Sequence, residues 1–295
     1  MHRVAVLLST HNGSRFILDQ MNSIIDQDYH PLAFFWRDDG STDETVAIVE
    51  KEFQRTPLET NRLGMTQSYA RLLRRAWEAQ CTYFAYCDQD DVWKPHKITR
   101  AINALRKVIG PALYCARQTL IDDNFKPIGV SPPFRLPIGF PAALTQNVAT
   151  GCTIVINREA AELVLQTLDE QPYYDWWSYL IVSAAGGQII ADDEQVVYYR
   201  PHPENRLGVP KSIMRRALAM IWRGPYAFMS VFRDHVKSLQ DHEHLLTTEA
   251  LLDLAMIGTA VETGLAAKWR VLQLPGFNRQ SRRENTIFRL WFLIG

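Results

Sequence analysis

Two hydrophobic rhythms alternate along the first hundred residues. Arg3–Ser9 is a continuous apolar run, as expected of a parallel strand buried on both faces. Phe16, Ile17, Met21, Ile24 and Ile25 then recur at helical spacing. Leu32–Trp36 predicts a second strand, and Val46, Val49 and Phe53 a second helix. Tyr69, Leu72, Leu73, Ala76 and Trp77 predict a third helix. Thr82–Cys87 predicts the next strand, and Ile98, Ile102, Leu105 and Ile109 the helix after it. This order predicts a parallel, doubly wound sheet with right-handed crossovers. Ligands of such sheets bind beyond the carboxyl ends of the strands.

From about Ala112 the rhythm changes. Short strands are expected at Ala112–Thr119, Gly151–Ile156, Gln188–Ile190 and Gln195–Tyr199, with helices at Arg158–Leu168 and Asp175–Ala185. A proline-rich loop, Ser131–Pro137, separates the first two strands, and beyond Pro210 the pattern is helical. The expected division is an α/β unit over 1–208 and a helical region over 209–295. The 295 residues are 47% hydrophobic and 22% charged, which supports a sizeable ordered core. No apolar run is long enough to span a membrane, and Met1–Ser9 suits a first strand better than a signal peptide. Cys81, Cys87, Cys115 and Cys152 form no CxxC pair, so reduced thiols in a cytoplasmic protein are expected.

Net charge is zero but unevenly placed. Residues 206–295 hold 13 Lys/Arg against 7 Asp/Glu, a balance of +6, leaving −6 on the first 205. A basic region of this kind suits an acidic surface such as a phospholipid headgroup layer. Nucleic acid is the competing partner, but no basic cluster interleaves with aromatics in a reading motif.

Three polar clusters fall where the sheet would present its carboxyl ends: Ser9–Ser14, Asp38–Asp43 and Asp88–Asp91. Asp88, Asp90 and Asp91 follow directly on the apolar run ending at Cys87. Carboxylates at a strand end make a hard oxygen site, suited to Mg²⁺ or Mn²⁺ and the phosphates it carries. A single acid there would serve as a cap to the next helix, with Pro95 in its first turn; three acids exceed that need.

These clusters, with three later segments, resemble the inverting family 2 glycosyltransferases of the GT-A fold. The residues that carry the resemblance are Ser9–Gly13, Asp38–Asp43, Asp88–Trp93, Asn147–Thr153, Tyr174–Trp177 and Tyr199–Asn205. The Asp88–Trp93 and Asp175–Trp177 boxes are most similar to bacterial rhamnosyltransferase-type members that build O-antigen and other surface polysaccharides. The likeness runs over about 3–208, with two departures. Tyr174 stands in place of the usual His, and Ser68 stands where an Asn often follows a segment like Asn61–Gly64.

The resemblance implies a GT-A domain: a Rossmann-like nucleotide-binding mixed sheet flanked by helices, here with a C-terminal helical appendage. It implies that Asp88 contacts the ribose side of a nucleotide and that Asp90 ligates the metal. His202 is a candidate further ligand, since neutral imidazole binds such ions; a loop histidine bonded to backbone is the alternative. Asp38 or Asp39 can accept the imide N–H of uracil or thymine, while Ser41–Glu44 serve the following helix. Thr10 and Asn12 would line the same pocket. Asp175 is the candidate general base, its acidity lowered by the aromatic surface of Tyr173, Tyr174, Trp176 and Trp177. The alternative for Asp175 is a helix cap with Trp176 and Trp177 in the core. Asn147, Trp176 and Trp177 are candidate sugar or acceptor contacts.

The expected activity is transfer of a sugar, rhamnose by resemblance, from a dTDP- or UDP-sugar to a hydroxyl of a lipid-linked glycan. A sugar nucleotidyltransferase and a catalytically degenerate carbohydrate-binding protein are the alternatives. The first lacks its Gly-rich, Lys/Arg-containing phosphate loop near the first strand. Lys211–Arg223 and Arg282–Ile294 mix basic and apolar residues at helical spacing. They suit either peripheral contact with the inner face of the plasma membrane or packing on the catalytic unit or a second copy.

Overall fold

The computed structural model describes residues 3–135, 137–201 and 213–295, with side chains at all of these except 170 and 213–224. The first half alternates as its pattern predicts. It runs β1 (Val4–Thr10), α1 (Ile17–Ile25), β2 (Leu32–Asp38), α2 (Thr45–Phe53), α3 (Met65–Glu78) and β3 (Tyr83–Cys87). A two-residue strand β4 (Val92–Trp93) and helix α4 (Lys97–Leu105) follow. The helix ends before Ile109, which is fully exposed instead of continuing the buried face.

The second half supplies β5 (Ala112–Ile121), β6 (Pro127–Val130), α5 (Ala142–Thr145), β7 (Val155–Asn157), α6 (Arg158–Leu165), α7 (Tyr174–Ala184) and β8 (Gln188–Tyr199). The strands form one sheet in the order β2-β1-β3-β7-β5-β8-β4, with β6 paired on β5. Pairings β1–β2, β1–β3 and β5–β8 are parallel; β3–β7, β5–β7, β5–β6 and β4–β8 are antiparallel. The sheet is therefore mixed, as the resemblance implies, with the expected parallel winding in its first three strands and a further parallel pair in β5–β8.

Two local differences have physical reasons. Gly151–Thr153 is a 3₁₀ turn, closed by Thr153 N donating to Thr150 O and Ile154 N to Gly151 O, so only Val155–Asn157 is strand. Gln188–Tyr199 is a single strand, not two. Its acidic middle is held by Asp192, which accepts from Arg100 Nε at 2.9 Å and Tyr114 Oη at 2.7 Å, beside a register shift against β5.

The two faces of β1 show why its run is continuously apolar. Val4, Val6 and Leu8 join one core cluster with Trp36, Ile98 and Tyr114. Ala5 and Leu7 join the other with Phe84, Tyr86 and Trp177. Alternate side chains point to opposite faces, and both faces are covered. The chain then ends in α8 (Ile213–Asp241), α9 (Thr248–Glu262), α10 (Leu265–Val271) and α11 (Arg282–Ile294). Met229, Phe232, Val236 and Leu239 of α8 and Phe288 and Phe292 of α11 belong to the same cluster as Trp177. The C-terminal helices thus complete the core on that face of the sheet.

Candidate active site

The register of the parallel strands builds the site. Thr10 pairs with Asp38 and Leu8 with Cys87, so the three polar clusters leave one edge side by side. The Asp38 carboxylate is fully occupied there. It accepts from Thr10 Oγ1 (2.7 Å), Ser41 N (2.7 Å) and Ser41 Oγ (2.6 Å), and Trp36 Nε1 donates to Thr10 Oγ1 at 3.0 Å. Asp38 and Thr10 therefore shape the turn after β2. Asn12 sits in the left-handed region and its Oδ1 accepts from Thr42 N at 2.8 Å, tying the β1 loop to that turn. Gln89 clasps the same loop, accepting from His11 N and donating to His11 O.

Asp39 faces the other way, toward the Asn61–Gly64 loop. It accepts from the backbone N–H of Leu63 (2.6 Å) and Gly64 (3.0 Å) and from Arg37 Nη1 (2.9 Å). Burial alone would raise its pKa, but these donors hold it below the ordinary value. Ser68 completes the network: its Oγ accepts from Arg37 at 2.7 Å and lies 3.2 Å from Asp39. The departure at Ser68 thus retains a polar contact to the Asp39 loop. Arg37 was the missed member of this network; a charged residue inside the apolar run Leu32–Trp36 and its extension is the signal that marks it.

After β3 the acids diverge. Asp91 is 1% exposed, and its carboxylate has no nitrogen or oxygen partner among the described residues. Asp88 and Asp90 are half-buried. Asp88 Oδ1 accepts from two phenols, Tyr69 at 2.7 Å and Tyr174 at 3.0 Å. Burial and then repulsion by Asp90 push the Asp88 pKa up to about 6, and burial, Asp90 and Asp88 raise that of Asp91 well above the usual range. Beneath them Lys97 is buried with its Nζ 3.1 Å from the Trp93 ring centre, and burial lowers its pKa to about 7.

This arrangement fits a divalent cation. Asp88, Asp91 and Cys152 each place a ligating atom within 4.8 Å of the other two. The Cys152 thiol is held protonated by burial, so the donors on offer are carboxylate oxygens, which suit Mg²⁺ or Mn²⁺. The Asp90 charge raises the pKa of both Asp88 and Asp91, but the three atoms that lie together belong to Asp88, Asp91 and Cys152. His202, the other candidate ligand, lies outside the described residues.

Asp175 opens α7 on the facing side. Its Oδ2 accepts from Asn147 Nδ2 at 2.9 Å and its Oδ1 from Trp176 N at 2.7 Å. Burial pushes its pKa up to about 6 against those stabilising bonds. Tyr174, in place of the expected His, turns away from Asp175: it stacks on Tyr69 with ring centres 3.9 Å apart and reaches Asp88. It can do so only because residue 151 is glycine, since a Cβ there would collide with the Tyr174 ring and hydroxyl.

The two tryptophans separate. Trp176 is half-buried, with Nε1 donating to Ala143 O at 2.8 Å. Trp177 is wholly buried and donates to Thr167 Oγ1 at 2.8 Å. It offers no face to a sugar, so its expected contact role is corrected to a core role. Periodicity alone did not separate them; their partners are 10 and 33 residues away. His235 of α8, also unforeseen, packs buried against both rings.

A mixed sheet with an acidic cluster at the end of its third strand, linked through Tyr174 to a half-buried carboxylate on α7, is the arrangement of a glycosyltransferase of the GT-A fold. Residues 5–165 match Glycosyl transferase family 2, and the chain belongs to that family. It is 28% identical over 226 residues to the dTDP-rhamnosyl transferase RfbG of Shigella flexneri, covering 68% of this chain and 73% of that one. It is 24% identical over 180 residues to the UDP-Glc:alpha-D-GlcNAc-diphosphoundecaprenol beta-1,3-glucosyltransferase WfgD of Escherichia coli, covering 60% and 69%. Among solved structures, S. aureus TarS 1–349 in complex with UDP-GlcNAc superposes with a TM-score of 0.58 at 15% identity, covering 92% of this chain and 79% of that one. The mannosyltransferase PcManGT from Pyrobaculum calidifontis, in complex with GDP-Man and Mn²⁺, gives 0.51 at 14% identity, covering 99% and 86%.

Proposed function

We propose that this glycosyltransferase is metal-dependent and inverting, and moves rhamnose from a dTDP- or UDP-sugar to a lipid-linked glycan acceptor in bacterial surface-glycan synthesis. The observation that carries the mechanism is the placement of Asp175. A half-buried carboxylate of raised pKa neighbours a separate acidic cluster, and Tyr174, next to it in the chain, bonds to Asp88 of that cluster.

In this reading Asp175 takes the proton from the acceptor hydroxyl as that oxygen attacks the anomeric carbon from the face opposite the diphosphate. Asn147 Nδ2 and Trp176 N orient the carboxylate and leave its remaining lone pairs for the acceptor. Asp90, with Asp88 and Asp91, would hold Mg²⁺ or Mn²⁺. That ion, when bound, would neutralise charge on the leaving diphosphate as a Lewis acid. Asp88 also contacts the ribose side, and Asp39 the base. Trp176 presents the aromatic face to the sugar. Asp38, Thr10 and Asn12 act on the nucleotide by fixing the loops around it.

Rhamnose is favoured by the likeness to the Shigella protein, and a lipid-linked acceptor by the acceptor named for the Escherichia coli relative. Such an acceptor places the work at the inner face of the plasma membrane, with peripheral contact through the 209–295 region. No helix among the described residues is long and apolar enough to cross a membrane.

The test is a panel of dTDP-, UDP- and GDP-sugars with Mn²⁺, read first as slow donor hydrolysis and then as transfer. Hydrolysis selective for dTDP-rhamnose, and a product of opposite anomeric configuration by NMR, are expected. Retention of configuration would overturn the single-base mechanism. Sugar binding without any turnover would favour the degenerate binding protein.

A further inference from the structure

We infer that Arg200 is a positioning residue for the acidic cluster: it clamps the Asp90 peptide and so sets the geometry in which these carboxylates hold a cation. The inference rests on the proposed metal role of Asp90. It begins in strand register. Val92 pairs with Tyr198 and Trp93 with Val197, so moving two residues outward on each strand brings Asp90 opposite Arg200. The ladder has ended there, and the arginine side chain takes over from it. Arg200 Nη1 donates to the Asp90 carbonyl at 3.0 Å.

The other terminal nitrogen and the face of the guanidinium are held as well. Nη2 makes a 2.7 Å ion pair with Asp19 of α1, and the Arg200 side chain is 3% exposed. Its charged carbon lies 4.4 Å from the Phe125 ring centre and 5.1 Å from that of Phe16. Phe125 comes from the hairpin between β5 and β6, and Phe16 from the residue before α1. One side chain therefore ties four separately placed segments together: α1, its preceding loop, the hairpin and the turn that carries Asp88, Asp90 and Asp91. A lysine has its donors on one nitrogen and no planar face, so it cannot span both acceptors as the fork does while stacked on the rings.

A buried arginine holding only backbone and remote groups would be a stabiliser of the fold. This one holds the peptide of the acid proposed to ligate the metal. Loss of groups that orient metal ligands typically weakens metal affinity.

The experiment titrates Mn²⁺ into full-length protein saturated with UDP or dTDP, reading free Mn²⁺ by electron paramagnetic resonance. Nucleotide binding without metal and melting temperature are measured in parallel. Arg200→Lys and Asp19→Asn are compared with the wild type. Asp19→Asn, at a half-exposed position, releases the outer anchor of the clamp while leaving Arg200 in place, and serves if Arg200→Lys does not fold. Both variants are expected to lose about 10–100-fold in Mn²⁺ affinity, the range for groups that support metal ligands, with a much smaller change in metal-free nucleotide binding. Equal losses with and without metal would show a merely structural role and overturn the inference. So would unchanged Mn²⁺ affinity in both variants. Absence of Mn²⁺ binding in the wild type would overturn the metal reading itself, and the inference with it.

Discussion

Asp175 carries a pH signature that can be read in two ways at once. Its pKa is about 6 in the fold against an ordinary 3.8. As a base it must be ionised, so transfer should rise with pH through about 6 and then level. The stability consequence has the opposite sign. The raised pKa means the folded state holds the proton more tightly, so stability from this group is complete below the ordinary value and lost as pH rises through 6. The melting temperature of Asp175→Asn relative to wild type should therefore rise between pH 4 and neutral pH, on top of a constant loss from the amide NH2 facing Asn147 Nδ2 or Trp176 N. Its transfer rate should fall at least about a hundredfold, the low end for a lost general base. A stable Asn variant with near-normal turnover would move the base elsewhere, Asp91 and Asp192 being the next carboxylates to test. Asp90→Asn should abolish the Mn²⁺-stimulated part of nucleoside diphosphate binding, because an amide is a poor partner for a hard dication. Calorimetry checks this, and undiminished stimulation would defeat the assignment.

At the scale of elements, α3, α7 and the turn at Gly151–Thr153 meet on Asp88. Tyr69 of α3 and Tyr174 of α7 stack and share the same carboxylate oxygen. The turn passes close to Tyr174, and only glycine fits at 151. Gly151→Ala should therefore destabilise the protein by about 1–3 kcal/mol, as overpacking of a well-filled site does. Tyr174→Ala in the same chain should recover part of that loss in a denaturation double-mutant cycle. Additive losses would mean that the turn and the ring are not in contact in solution.

The whole molecule is completed by its last four helices, and this changes how the basic C-terminal region works. Phe288 and Phe292 of α11 are fully buried, in an aromatic cluster with Phe228, Phe232 and Phe277, and Trp291 is 7% exposed. The aromatic face of that helix is therefore core, not membrane surface. What it leaves outward is Leu290 and Ile294; Leu265 and Trp269 of α10 are exposed too, with Arg270, Arg282 and Arg283 exposed in the same helices. Flotation with anionic vesicles, weaker with neutral ones and partly released by salt, is expected of this surface. Trp269→Ala with Leu290→Ala should reduce it; equal flotation on both lipids, or none, would favour packing against a partner. Removing residues from 213 onward should give no cooperative melting, since Trp177 then loses His235 and the α8 and α11 side chains of its core cluster. A soluble, cooperatively folding 1–212 fragment would instead make the division near 208 a true domain boundary.

The sequence by itself determined the opening strands and helices and the three acidic or polar clusters at their ends. Periodicity is local, and a run such as Arg3–Ser9 records its two covered faces residue by residue. It also held the order of six motifs, from which the family followed. What it could not hold was anything decided by partners distant in the chain. Trp176 and Trp177 are adjacent, yet one borders the site and the other is core, because Ala143 and Thr167 arrive from different directions. Asp38 and Asp39 look equivalent, yet one is consumed by its own turn and the other by a loop some 24 residues on. The aromatic helix at the C-terminus has the composition of a membrane-seeking helix, and only the packing of α8 against it decides which face is buried. Arg200 meets Asp90 across 110 residues through a strand register that no short-range pattern encodes.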